Sequence, residues 1–134
     1  MTHWLVDSPG SGDGRRDADF WLEHLAQQGL ADVKVCELDD DNRWLSEVTG
    51  DDCLIAAGGD GSVNAVAQCC LETGATLGIL PSGTANDFAR NLGIPTEPDQ
   101  AAALIAEGTA RSVDVASWGE RIFLNVAHIG LGTL

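Results

Sequence analysis

The chain has 134 residues, 44% of them hydrophobic and 21% charged, which fits one globular domain with a proper core and excludes a largely disordered segment. Its 21 acidic residues against 7 basic ones give a formal net charge of −14, and Lys34 is the single lysine. With no basic stripe to neutralise phosphates, the composition excludes nucleic-acid binding and electrostatic docking on an anionic membrane, so any lipid contact must be apolar or made elsewhere.

In chain order, His3 to Val6 reads as a first strand and Asp7-Ser8-Pro9-Gly10-Ser11-Gly12-Asp13-Gly14 as a glycine-rich loop. A helix is expected from about Asp17 to Gln28, with Phe20, Trp21, Leu22 and Leu25 on its core side and Gly29 as its stop. Val33 to Leu38 alternates with period two and predicts a second strand. An acidic turn at Asp39-Asp40-Asp41, read as solvated, and a short helix near Trp44 to Val48 lead to a third strand from Asp52 to Ala57.

Gly58-Gly59-Asp60-Gly61-Ser62-Val63-Asn64 follows that apolar run and has the grammar of a phosphate-binding loop. Its glycines allow positive φ and close approach of a ligand, and Ser62 is expected to cap a helix whose unpaired N–H groups and dipole face the turn. Asp60 is the odd member. A carboxylate there repels phosphate unless it holds a bridging metal ion or accepts a proton from an attacking hydroxyl; otherwise it is a capping Asp in a tight turn. Val63, Val66, Ala67, Cys70 and Leu71 carry the helix to about Thr73, ending at Gly74.

Thr76 to Leu80 supplies a fourth strand, and Pro81-Ser82-Gly83-Thr84-Ala85-Asn86-Asp87-Phe88-Ala89-Arg90 opens another helix. Thr84 with Asp87 resembles a capping box, whereas Asn86 and Arg90 share a helical face that points either to the same crevice as Asp60 or to a surface carboxylate. After Pro98 an alanine-rich helix runs to about Glu107. Arg111 to Ser117 and Arg121 to Ala127, joined by Trp118-Gly119-Glu120, look like a hairpin, and Ile129 to Leu134 is the one candidate for the start of a linker. The fold class expected is α/β: one domain over residues 1–134 with an open, mostly parallel, Rossmann-like sheet flanked by helices, a C-terminal β-hairpin, and ligands gathered at the carboxyl ends of the strands.

Cys36, Cys53, Cys69 and Cys70 show no C-x-x-C spacing and read as buried reduced thiols. His3, His24 and His128 are far apart with no matching ligands, so no zinc site is expected. The N-terminus has no apolar run suited to a signal peptide or membrane span, which leads us to expect a cytoplasmic protein. Scarce lysine beside abundant Asp fits a salt-adapted or GC-rich source, a reading that folding indifferent to salt would remove.

The two loops together carry a resemblance. Gly58 to Asn64 followed by Pro81 to Arg90 resembles the catalytic domain of the diacylglycerol kinase family, which includes bacterial lipid kinases and is related to sphingosine kinases. The first loop alone is shared with NAD kinases and 6-phosphofructokinases; the second is characteristic of the lipid kinases. The likeness extends to Pro9-Gly10-Ser11-Gly12, to Asp114, to Phe123-Leu124-Asn125-Val126 and to Ile129-Gly130, nearly the whole chain.

The resemblance implies ATP held by Gly58, Gly59, Asp60, Gly61, Ser62, Val63 and Asn64. Ser82, Gly83 and Thr84 contribute from the second loop, and Ser8, Pro9, Gly10, Ser11 and Gly12 close over the nucleotide. It implies that Asp60 is catalytic, working with Mg²⁺ directly or through water, and that Asn86 and Asp87 order the crevice. This chain departs from the family at Ser8, where Asn is usual, at Asp7, which adds a charge, and in Cys36 to Asp41, which lacks a threonine common after the second strand. The family continues beyond the equivalent of Leu134 into a β-rich second domain supplying further metal-binding acidic residues, the general base and much of the lipid pocket.

Residues 1–134 alone are therefore expected to be inactive, and the whole protein to phosphorylate diacylglycerol or a similar lipid during transient contact with the inner face of the membrane. The exposed edge of the hairpin is expected to permit a homodimer. Two other readings stay open on sequence: a kinase for NAD or a sugar phosphate sharing the first loop, and a non-catalytic nucleotide-binding or regulatory module.

Overall fold

The computed structural model describes residues 2–7, 17–39, 41–58, 60–81, 93–107, 110–118 and 121–130. Six strands form one sheet: β1 (His3–Asp7), β2 (Val33–Glu37), β3 (Cys53–Gly58), β4 (Thr76–Pro81), β5 (Ala110–Trp118) and β6 (Arg121–Gly130). The α-helices among the described residues are α1 (Ala18–Gln27), α2 (Asp60–Thr73) and α3 (Pro98–Glu107), with a 3₁₀ turn at Arg43–Glu47. The sheet order is β2-β1-β3-β4-β6-β5, parallel throughout except for the antiparallel pair β5 and β6.

The central strands are buried on both faces, which is why Cys53-Leu54-Ile55-Ala56 is continuously apolar rather than alternating. Leu54, Ala56, Leu77 and Ile79 meet Val63, Val66, Ala67 and Cys70 of α2 on one face. On the other face Leu5, Ile55 and Leu80 meet Trp21 and Leu25 of α1 and Ala101, Ala102 and Ile105 of α3. Gly78 leaves the room α3 needs, because a Cβ there would stand 3.3 Å from both Cys53 Sγ and Ile105 Cδ1. At the sheet's edge β2 buries only Cys36 fully, while the Lys34 ammonium sits 5.0 Å from the centre of a Trp4 ring.

Local signals explain the helix ends. Asp17 caps α1, its carboxylate accepting the Phe20 N–H at 2.9 Å. Gly74 ends α2 with φ of +79°, donating its N–H to the Cys70 carbonyl at 2.7 Å. Pro98 opens α3, where a missing N–H costs nothing.

Two expectations are corrected. Ser62 is the third residue of α2 rather than its cap, and it is buried, because only position 59 separates the end of β3 from the start of the helix. Ile129 and Gly130 belong to β6 rather than to a linker, since β4 offers Leu77 as a ladder partner for Ile129. The helix expected after Thr84 lies outside the described residues.

One topological feature positions the site. From β2 the chain crosses over β1 to enter β3 on its far side, so the connections from β1 and β3 leave in opposite directions. Open α/β sheets bind ligands in the crevice this creates at the strands' carboxyl ends.

Candidate functional site

β3 delivers Gly58 to that crevice with φ of +150°, a conformation that disfavours any side chain. In the β3–β4 ladder Gly58 pairs with Pro81, so the first residues of the two glycine-rich motifs lie on neighbouring strands. Asp60 opens α2, whose 14 residues direct unpaired N–H groups and the positive end of a dipole at the same place. Val63 and Val66, 2% and 0% exposed, lock the start of this helix against the sheet. β1 ends alongside at Asp7, immediately before the Ser8-to-Gly12 segment.

The structure thus sets Asp7, Gly58 and Pro81, the described residues from which the three expected segments depart, at the carboxyl ends of neighbouring strands. Gly61, Ser62, Val63 and Asn64 fall in the first turns of α2. Gly59, Ser8, Pro9, Gly10, Ser11, Gly12, Ser82, Gly83, Thr84, Asn86 and Asp87 lie outside the described residues. Among the described residues no group of His, Cys, Asp and Glu is placed to hold a metal ion.

Beside the crevice runs a groove of about 350 Å³ that the sequence did not disclose. One wall is Leu38, Asp39, Asn42 and Leu45; the other is Ala65, Gln68, Cys69 and Glu72, a single stripe of α2. The first wall is tied to β1, because the Leu38 N–H donates to the Asp7 carbonyl at 2.9 Å. Its turn is locked reciprocally. Asp39 Oδ1 accepts the N–H groups of Asp41 and Asn42, while Asn42 Oδ1 accepts the Asp39 N–H at 3.0 Å and Asn42 takes the left-handed conformation, φ 43°. Asp39 and Asp41 are exposed, as expected of a solvated turn, yet Asp39 also lines the groove.

The four thiols are free and buried. Burial pushes Cys36 and Cys53 up to about 12 and Cys69 to about 11, and raises Cys70 as well, so none is a nucleophile at neutral pH. Asp52, a buried carboxylate, sits at the opposite edge of the sheet. It accepts the Thr2 N–H at 2.9 Å, the Thr49 N–H at 3.0 Å and the Trp4 indole N–H at 3.2 Å. Burial alone would raise its pKa, but the hydrogen bonds from Thr49, Thr2 and Trp4 hold it below the usual carboxylate value. Asp52 is thus a clamp between strand ends, remote from the crevice.

Residues 5–118 match the sequence profile of the diacylglycerol kinase catalytic domain. The chain belongs to that family. Its similarity to the Probable lipid kinase YegS-like of Yersinia enterocolitica serotype O:8 / biotype 1B is 35% identity, covering 99% of this chain and 48% of the relative. With the Probable lipid kinase YegS-like of Pseudomonas aeruginosa strain UCBPP-PA14 the identity is 45%, covering 75% and 35%. A crystal structure of a diacylglycerol kinase from Bacillus anthracis str. Sterne superposes with a TM-score of 0.66 at 30% identity, covering 91% of this chain and 45% of that one. The chain thus spans less than half the length of each.

The family read from the two motifs and the expected α/β fold both stand. Among the described residues no helix is long and apolar enough to cross a membrane.

Proposed function

We propose that this chain is the nucleotide-binding domain of a diacylglycerol-kinase-like lipid kinase, which transfers the γ-phosphate of ATP to a lipid hydroxyl. The observation that carries this reading is the pairing of Gly58 with Pro81 at a crevice into which α2 directs its N-terminus. A glycine turn followed at once by a helix end fits a polyphosphate, and it does so without lysine.

We assign the residue roles that the resemblance to the family implies. Backbone N–H groups from Gly58 to Ser62 cradle the phosphates, those of Val63 and Asn64 being taken up by the helix, and Ser82, Gly83, Thr84 and Ser8 to Gly12 complete the nucleotide contacts. Asp60 is the residue to hold Mg²⁺, directly or through water; the ion would supply charge neutralisation at the transferred phosphate. Asn86 and Asp87 orient the crevice. Such catalysis is mostly positioning and electrostatics, for which glycine amides and a few carboxylates suffice. The nucleoside end extends along α2, where Gln68 lies about 12 Å from Asp60 at 1.5 Å per residue, within reach of the groove.

The acceptor lipid, diacylglycerol or a similar hydroxyl-bearing lipid, is bound with a second, β-rich domain during transient contact of a cytoplasmic protein with the inner membrane face. The greater length of the relatives supports this division, and with it the reading that residues 1–134 alone are inactive. β5, at one end of the sheet, has an edge with no strand partner among the described residues, which would suit a homodimer.

Calorimetric titration of the chain with ATP and Mg²⁺ tests the reading. Saturable binding abolished by Gly59→Asp, in a variant that still folds, is expected; binding that survives this substitution would place the phosphates elsewhere. In the complete enzyme Asp60→Asn should leave the fold intact and lower turnover at least about a hundredfold, the scale of losing an electrostatic contact to the reacting group.

A further inference from the structure

Among the described residues, the groove beside α2 is lined by two carboxylates, Asp39 and Glu72, and by no lysine or arginine. Its turn is not a loose acidic tract. The two N–H groups that bind Asp39 Oδ1 fix that side chain, and Oδ2 has no hydrogen-bond partner among the described residues. Asp39 also stands two residues beyond the end of β2. In dinucleotide-binding α/β sheets an acidic residue near the end of the second strand accepts the ribose 2′-hydroxyl.

We propose that Asp39 is the specificity residue for the nucleotide's sugar, its Oδ2 accepting a ribose hydroxyl. This rests on the reading of Gly58 to Asn64 as the phosphate loop, which sets the nucleoside against α2. An ionised carboxylate is an acceptor only, so it favours a vicinal diol, gains less from a 2′-deoxyribose, and with Glu72 repels a 2′-phosphate. The apolar wall of Leu38, Leu45 and Ala65 receives the base.

The test is calorimetric titration of the chain, in the presence of Mg²⁺, with ATP, 2′-deoxy-ATP and inorganic tripolyphosphate. The native chain is expected to bind ATP about tenfold more tightly than 2′-deoxy-ATP, the scale of one hydrogen bond to a charged group. Asp39→Asn keeps an oxygen for the two N–H groups of the turn but presents an amide in place of Oδ2. It should shrink the preference to about twofold and leave tripolyphosphate binding unchanged.

Equal affinity of the native chain for ATP and 2′-deoxy-ATP would overturn the assignment without any variant. A tenfold preference that persists in Asp39→Asn would overturn it too. If neither ATP nor tripolyphosphate binds, the phosphate-loop reading itself fails and the assignment with it. Binding of both without discrimination at the sugar removes Asp39 alone.

Discussion

Gly58 and Pro81 are the last pair of the parallel ladder between β3 and β4. Neighbouring strands stand about 4.8 Å apart, so two motifs separated by the whole of α2 begin side by side. The relationship sets the starting points of two sequence motifs, each ambiguous alone, next to each other at the carboxyl end of the sheet.

Gly58 has to combine a ladder position with φ of +150°. Gly58→Val should destabilise the chain by roughly 1–3 kcal/mol, the range for a side chain forced into a sparsely populated conformation. It should also weaken ATP binding more than its stability loss alone explains, because the turn it distorts is the one we propose as the phosphate cradle. Urea denaturation gives the first quantity and titration of the still-folded fraction the second; unchanged stability would show that the turn relaxes around the side chain.

The Asp52 clamp predicts a pH dependence. Its carboxyl titrates lower in the folded chain than in the unfolded one, so protonation favours unfolding. The stabilisation is whole above the unfolded value near pH 4 (about 3.9) and is lost as pH falls through the lower folded value. Asp52→Ala leaves the Thr2 and Thr49 N–H groups and the Trp4 indole without their acceptor. A cost of roughly 2–4 kcal/mol at neutral pH is expected, together with a flatter stability profile below pH 4, both measurable by denaturant melts across pH.

Much of this architecture was legible because each signal was local. Cys53 to Ala56 is apolar at every position, glycines mark where it ends, and Asp17 and Gly74 are caps whose chemistry lies within one turn. What escaped depended on distant partners. Asp52 looks like one more acid beside Asp51, and only folding brings the Trp4 indole to it. The groove joins Asp39 and Asn42 to a stripe of Ala65, Gln68, Cys69 and Glu72, residues too mixed in polarity to announce a face. Ser62 was misplaced as a cap because capping chemistry identifies residue types that suit a helix start, while the length of the turn after Gly58 decides which position becomes the start.

At Gly78 in β4 a Cβ would stand 3.3 Å from Cys53 Sγ and Ile105 Cδ1, a tight fit. Gly78→Val would push against Cys53 Sγ, Ile55 and Ile105, and overpacking of this kind costs about 1–3 kcal/mol. Gly78→Ala needs a shift of only a few tenths of an ångström and should cost less than the valine. Melting temperatures of the two variants check the order; equal values would mean that α3 moves away from the sheet freely.

The four thiols give the last prediction. All are buried, and burial holds Cys36, Cys53 and Cys69 at about 12, 12 and 11. At pH 8 almost none is thiolate, the reactive form, so a disulfide reagent should consume little thiol from the folded chain and four equivalents after denaturation. Cys69 alone borders the groove, so any slow reaction of the folded chain should fall there first. A nucleotide seated along α2 would then cover it, and ATP should slow that reaction while leaving the denatured count at four. Labelling followed by peptide mass mapping separates the cases: reaction at Cys69 that ATP does not slow would count against a nucleoside in the groove, and first reaction at Cys53 or Cys70 would mean that the thiols are exposed by opening of the core.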